Sequence, residues 1–255
     1  DGVVIAVNET STEPVINEAL KHPWKLLVEK PVGLNLSSTK RVCELADSKH
    51  AEVFVAMNRR HYTSTKTALR LLTKNKGQRV VQIHDQEDPK SALENGRDKS
   101  VCDQWQFANS IHLIDLFHVF CRGNVAGVQN VIPWTSGYEA KMTHSIIQFE
   151  SGDVGIYHSV WNGPGPWSVT ISTSQKRIEM RPLEQLFVQN YPSRQLENVK
   201  LSEIDCKFKP GFFEQMKNFT SALRNDKHEL LELKSYLQAV SLTDKLFSAN
   251  IQIEV

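Results

Sequence analysis

The sequence predicts an α/β region followed by an α+β region. In the first 62 residues, three apolar segments of strand length alternate with two segments of helical periodicity, an order typical of a right-handed parallel sheet. Residues 128–189 then contain short strand-like segments separated by turn signals, which predicts a large, mainly antiparallel sheet. Two segments with apolar residues at helical spacing, 212–223 and 233–247, close the chain and are expected to cover that sheet.

Polar residues follow each predicted strand at the start of the chain. The strands with their following polar residues are Gly2–Val7 with Asn8, Leu26–Val28 with Glu29 and Lys30, and Val53–Met57 with Asn58 and Arg59. Ligands of an open α/β sheet bind outside the carboxyl ends of the strands, so we expect Lys30 to face a ligand. Pro31 restricts Lys30 to extended geometry and thereby orients it. The alternative is a surface turn with the charges of Glu29 and Lys30 in solvent.

Capping residues indicate where the helices of this region begin. Thr12 is expected to cap the first helix, with Pro14 in its first turn. Ser37 or Ser38 is expected to cap the second. A third helix is predicted over Tyr62–Lys76, where the chain leaves the first region.

The next segment combines a predicted strand with charged residues. Arg79–Gln86 is the strand, and it leads into the sequence His84–Asp88. A histidine beside several acids could bind a metal, but alternate residues of a strand point to opposite faces. We therefore expect a solvated strand end and no metal site. Pro89–Asp103 is predicted to be a polar loop, either functional or disordered.

Trp105–Cys121 is predicted to be a buried helix, because its apolar surface is almost continuous. His112 and Asp115 stand three residues apart and therefore share one face. A buried imidazole beside a carboxylate is held in one tautomer and tends to be more basic, which suits a general base. The alternative is a core histidine with a structural aspartate.

Composition excludes several classes of protein. The chain has 255 residues and a formal net charge of +1, so nothing in the charge balance indicates a nucleic-acid partner. No apolar segment approaches the ~20 residues needed to cross a bilayer, so we expect no membrane partner. The four cysteines are scattered without a C-x-x-C pair. A reducing, cytoplasmic location and no disulfide framework are expected.

Four segments together resemble the Gfo/Idh/MocA oxidoreductases, a family that includes glucose-fructose oxidoreductase and inositol dehydrogenase. The segments, in order, are VVIAVNETSTEP, LLVEKPVGLN, VFVAMNRRHY and IHLID. The resemblance implies a partial Rossmann-type dinucleotide-binding domain over residues 1–62 and an α+β substrate and dimerisation domain over residues 63–255. It also implies NAD or NADP as cofactor, a sugar, cyclitol or related polyol as substrate, and a homo-oligomer, either a dimer or a tetramer.

The resemblance further implies roles for individual residues. Lys30 and His112 are the expected catalytic pair, with the histidine taking or returning a hydroxyl proton and the lysine stabilising charge on that oxygen. Asn8, Glu29 and Lys30 are expected to contact the cofactor. The residues expected to contact substrate are Arg59, Tyr62, Trp105, Asn109 and Asp115.

Two departures from the family pattern bear on these roles. Family members begin with a strand and a G-x-G-x-x-G turn, whereas none of the 12 glycines of this chain forms that pattern. We therefore expect a chain that lacks the first strand–helix units of the nucleotide domain. Many members carry an aspartate four residues before the histidine, but this chain has Ala108 there. Both departures favour an alternative function, a non-catalytic relative that binds ligands or regulates. The retained Lys30, His112 and Asp115 oppose it, and we expect the enzyme, since a missing amino-terminal segment explains the first departure without loss of function.

Overall fold

The computed structural model describes residues 1–73, 76–135, 137, 139 and 141–248, and its first region alternates strands and helices as predicted. Its elements are β1 (Gly2–Ile5), α1 (Thr12–Ala19), β2 (Lys25–Glu29), α2 (Leu36–Ser48), β3 (Val53–Ala56) and α3 (Thr63–Leu72). Strands β1, β2 and β3 pair in parallel, with Ile5 opposite Val28 and Val28 opposite Val55. The carboxyl ends of the three strands therefore lie along one edge of the sheet.

The helix caps differ from the predicted ones. Asn35 caps α2, and its side chain and that of Ser38 form a reciprocal capping box. Asn8 caps a short 3-10 turn that precedes α1, since its side chain accepts from the backbone N–H of Ser11. An amide one or two residues before the first helical position satisfies these N–H groups as well as a hydroxyl does.

The middle of the chain contains more helix than the sequence predicted. β4 (Val80–Glu87) is followed by two short helices, α4 (Pro89–Glu94) and α5 (Lys99–Cys102), in place of a polar loop. Asp88 and Asp98 cap these two helices, and each side chain accepts from a backbone N–H. The predicted buried helix is present, but it begins with a π-helical turn, Gln106–Ser110, before α6 (Ile111–Phe120).

The second sheet has eight strands in the order β11-β10-β9-β8-β4-β7-β6-β5. Its remaining strands are β5 (Val125–Ile132), β6 (Lys141–Phe149), β7 (Val154–Trp161), β8 (Ser168–Ser172), β9 (Lys176–Met180), β10 (Phe187–Asn190) and β11 (Glu197–Asn198). All neighbours are antiparallel except β4 and β7, which pair in parallel. The predicted hairpin joining β6 and β7 is confirmed.

Four elements complete the chain: α7 (Ile204–Lys207), α8 (Phe212–Leu223), β12 (Leu231–Glu232) and α9 (Leu233–Leu246). β12 pairs antiparallel with β3, so the chain returns to the first sheet near its end. Tyr236 and Val240 of α9 then pack into the same core as Ile16, Val28 and the start of α6. The first sheet is therefore completed by residues far beyond position 62. Among the described residues, no helix is long and apolar enough to cross a membrane.

Candidate active site

Lys30 lies at the carboxyl end of β2 and reaches the helix that carries His112. Its Nζ donates a hydrogen bond to the backbone carbonyl of Ala108, inside the π-helical turn. His112 follows Ala108 by four residues, about one helical turn. Segments of π-helix occur frequently at functional sites, and this one presents a main-chain oxygen to the lysine. A strand end and a distant buried helix thus meet at one place.

Burial changes the acidity of Lys30. Loss of hydration, followed by the positive charge of Arg59, lowers the pKa of Lys30 to about 8. The carboxylates of Glu29, Glu9 and Glu87 act in the opposite direction. An ammonium with this pKa is mostly protonated at pH 7 and can exchange its proton near neutrality.

His112 is 5% exposed, and its pKa differs from the one expected from the sequence. Burial lowers its pKa well below the usual range, and the charges of Arg59, Lys30 and Lys209 lower it further. The predicted increase in the pKa of His112 is wrong. Asp115 does not offset the effect of burial, because its carboxylate pairs with another side chain and not with the imidazole. Both oxygens of Asp115 accept from Arg60, at 2.6 and 2.7 Å. The contact of Asp115 with substrate stays a prediction.

The acids of β4 form the largest difference between sequence and structure at this site. Asp85 and Glu87 are 1% and 2% exposed, so the predicted solvated strand end is wrong. They share the face of β4 that also buries Val81 and Ile83. The two-residue alternation of the strand could have suggested this, since Val81, Ile83, Asp85 and Glu87 stand two apart.

Hydrogen bonds tie these acids to the helix that carries His112. Glu87 Oε2 accepts from Trp105 Nε1 at 2.5 Å and from Asn109 Nδ2 at 2.8 Å. Asp85 Oδ2 accepts from the Tyr157 hydroxyl at 2.5 Å. The two polar groups expected to contact substrate, on Trp105 and Asn109, therefore also anchor the π-helical turn to β4.

Each acid of this pair has a second oxygen, and we interpret these two oxygens as sharing one proton. Asp85 Oδ1 and Glu87 Oε1 are buried and have no donor among the described residues. The two carboxyl groups share one buried face of β4 and act on each other's pKa, and two buried acids this close are most stable with one of them protonated. Burial and the neighbouring charge of Asp85 raise the pKa of Glu87 well above its usual value. The pair thus carries one negative charge rather than two.

Arg59 lies close enough to Lys30 for its charge to lower the pKa of that lysine. Its guanidinium lies 4.6 Å above the ring of Trp167. Tyr62, three residues further on, is buried, and the charge of Arg59 acts on its phenol. The structure thus brings Lys30, Arg59, Tyr62 and His112 into one neighbourhood.

The two remaining cofactor candidates lie at strand ends beside a cleft. Glu29 ends β2, and its carboxylate is close enough to Lys30 and Arg59 for their charges to act on it. Asn8 is exposed, and its amide oxygen is used to cap the following turn. A cleft of about 420 Å³ is lined by residues that follow β1 and β2, among them Glu9, Thr10, Asn17, Gly33 and Asn35, whereas Asn8 and Glu29 are not part of its lining. Its polar side chains suit the hydroxyl groups of a ribose, so the strand tips fit part of a dinucleotide.

A family model matches the part of the chain that forms this edge. Residues 1–57 match the Gfo/Idh/MocA model, described as an oxidoreductase family with an NAD-binding Rossmann fold. The resemblance seen in the sequence is confirmed, and a nicotinamide cofactor agrees with the matched family. A comparison with curated protein sequences finds no match.

Solved structures of dehydrogenases share the fold over nearly the whole chain. A dehydrogenase from Chromobacterium violaceum has a TM-score of 0.83 at 18% identity, covering 98% of this chain and 76% of the other. UDP-N-acetylglucosamine 3-dehydrogenase from Acidithiobacillus ferrooxidans has a TM-score of 0.77 at 15% identity, covering 98% and 78%. An inositol dehydrogenase homologue from Azotobacter vinelandii, complexed with NAD+, has a TM-score of 0.75 at 12% identity, covering 96% and 75%. The predicted fold class is confirmed.

Proposed function

We propose that the protein is an NAD- or NADP-dependent oxidoreductase that acts on a hydroxyl group of a sugar, cyclitol or related polyol. The observation that carries this proposal is the meeting of Lys30 with the helical turn before His112. This contact joins an ammonium and a neutral imidazole at the carboxyl edge of the first sheet. Residues 1–57 of the chain, which contain the three parallel strands of that sheet, match an oxidoreductase family. When bound, the nicotinamide supplies the hydride acceptor or donor.

His112 and Lys30 would divide the proton and charge chemistry. The lowered pKa of His112 keeps its imidazole neutral near pH 7, so one ring nitrogen can accept a proton from a substrate hydroxyl. Nδ1 of His112 has no partner among the described residues. Lys30 would donate a hydrogen bond to the same substrate oxygen and stabilise the negative charge that develops there.

The other candidates would bind rather than react. Asn8 and Glu29 would contact the cofactor from the strand tips. Arg59, Tyr62, Trp105 and Asn109 would contact the substrate. Asp115 would act through Arg60, because their bidentate pair fixes α6 against the turn that follows β3.

A matched pair of histidine variants tests this function. We expect His112→Gln to lower nicotinamide-dependent turnover by about 10²–10⁴-fold, the usual contribution of general acid–base catalysis. His118→Gln changes a half-buried histidine of the same helix that lines a different cleft, and should retain turnover. The measurement is the absorbance of the reduced nicotinamide with a panel of sugars and polyols. Equal turnover in both variants, with wild-type folding by circular dichroism, would contradict the role of His112.

Ala108 favours a second candidate function, a binding or regulatory protein with the same fold. Its methyl group can neither accept a proton nor pair with Lys30, and only its main-chain oxygen reaches the lysine. This candidate predicts ligand binding without consumption of nicotinamide. Calorimetry with the same sugars, run beside the turnover assay, separates the two functions.

The outer face of the second sheet supports a homo-oligomer. Met142 and Ile132, on neighbouring strands, are 57% and 43% exposed. Apolar side chains on an open sheet are commonly covered by a second subunit. Size-exclusion chromatography with light scattering would distinguish a dimer or tetramer from a monomer.

A further inference from the structure

Arg59 is a partly buried cation without a protein partner among the described residues. Its Nε is buried and has no hydrogen-bond partner there, and none of its side-chain nitrogens donates a hydrogen bond or forms an ion pair with a described residue. Its guanidinium instead lies over the ring of Trp167, 4.6 Å away. Charges removed from water are normally paired, because an isolated one is costly. The guanidinium is therefore available to bind a negatively charged group of a ligand.

Two of the acids near Arg59, Asp85 and Glu87, are engaged elsewhere, while Glu29 and the exposed Glu184 act on it through charge without a hydrogen bond among the described residues. Glu87 accepts from Trp105 and Asn109 and shares a proton with Asp85, while Asp85 also accepts from Tyr157. These bonds turn the carboxylates towards neutral donors and towards each other. The one negative charge of the acid pair therefore acts on Arg59 without a direct hydrogen bond.

A second cation is carried by the turn after α7, which a tight backbone contact holds against the end of β3. The Asn58 side chain donates to the carbonyl of Pro210 at 3.1 Å, which docks the turn after α7 onto the end of β3. Gly211 has a φ of +77°, and a Cβ there would lie 2.1 Å from the Asn58 carbonyl oxygen, so only glycine fits. This turn carries the exposed Lys209, whose charge acts on both Glu29 and His112.

We propose that the substrate carries an acidic group, a carboxylate or a phosphate, which Arg59 binds through its planar fork while Lys209 faces it from the mouth of the site. This inference rests on the proposed function and narrows its substrate class from neutral polyols to acidic sugars. Arginine matches both groups because its paired N–H donors fit two oxygens at once. Trp167 keeps the fork in place by stacking on its face.

Binding measurements with three probes test the proposal. Calorimetry would compare D-glucuronate, D-glucose 1-phosphate and neutral D-glucose on the wild-type protein. We expect at least one of the two acids to bind about tenfold or more tightly than glucose, as a charge-assisted bidentate contact provides. The tighter of the two acids identifies the source of the charge, carboxylate or phosphate.

Variants assign the preference to Arg59. Arg59→Gln should remove most of the preference for the acid, so that the acid and glucose bind with similar affinities, and Arg59→Lys should be intermediate because it keeps charge but loses the fork. Arg70→Gln is the matched control, since Arg70 is exposed on α3 and bonds only Thr67. Thermal melting checks that each variant is folded.

Three outcomes would overturn the proposal: glucose binding as tightly as both acids, no binding of either acid, or an acid preference that survives Arg59→Gln. Failure here leaves turnover of a neutral sugar intact. Failure of the proposed function instead appears as no nicotinamide consumption with any sugar, whether or not acids bind. The two results are therefore distinguishable.

Discussion

The ends of β2 and β4 look alike in the sequence but behave differently in the structure. Each strand ends in charged residues after an apolar segment. At β2, Lys30 emerges at the edge of a parallel sheet and meets a backbone carbonyl of another element. At β4, Asp85 and Glu87 stay buried because the π-helical turn and α6 cover them. Whether charged residues at a strand end form a binding site or become buried therefore depends on which element packs over that end. The local charge pattern alone does not determine it.

The first prediction separates activity from stability at the two strand ends. We expect Lys30→Met to lower turnover by about 10²–10⁴-fold, since it removes the group that stabilises charge on the substrate oxygen. The free energy of unfolding should not decrease, because methionine suits a buried site better than a desolvated ammonium. Urea denaturation beside the turnover assay checks both. A variant that loses stability but keeps turnover would make Lys30 structural.

The second prediction applies to β4, where the expected effect is on stability. Glu87→Ala leaves the buried donors of Trp105 and Asn109 without their acceptor, which should cost about 1–3 kcal/mol of unfolding free energy. Glu87→Gln keeps an acceptor and can itself donate to Asp85, so it should cost less than about 1 kcal/mol. Urea denaturation at neutral pH measures both. Equal losses in the two variants would contradict a shared proton.

The third prediction concerns pH and has the smallest expected effect. Because burial raises the pKa of Glu87 well above its ordinary value of 4.5, the folded protein binds more protons than the unfolded chain above that pH. Stability should therefore decline as pH rises from about 4.5 towards the folded pKa of Glu87. Glu87→Gln should reduce this decline, as shown by melting temperatures across the range. An unchanged slope would mean that another group is responsible.

The sequence predicted much of the fold because its elements are marked locally. The apolar segments of β1, β2 and β3, and the helical spacing of α8 and α9, need no partner to be recognised. The pairing of β12 with β3 could not be predicted, because β12 is only two residues long and its partners lie nearly 180 positions earlier in the chain.

The site was predictable where a strand end carried the information and not where distant elements met. Lys30 follows from its place after an apolar strand. The bidentate bond of Arg60 to Asp115, and the acid pair against Trp105, depend on how α6 lies across the sheet. No residue near Asp115 in the sequence indicates that an arginine 55 positions earlier takes both its oxygens.

The central claim, that Lys30 and His112 face one pocket, is tested most directly by the titration of His112 in NMR spectra. The claim predicts that the His112 imidazole stays neutral well below pH 6.5, and that Lys30→Met raises its pKa because a nearby positive charge is removed. His118, on the same helix, provides the internal control. A His112 pKa near 6.5 that does not change in Lys30→Met would place the two side chains in separate environments and contradict the claim.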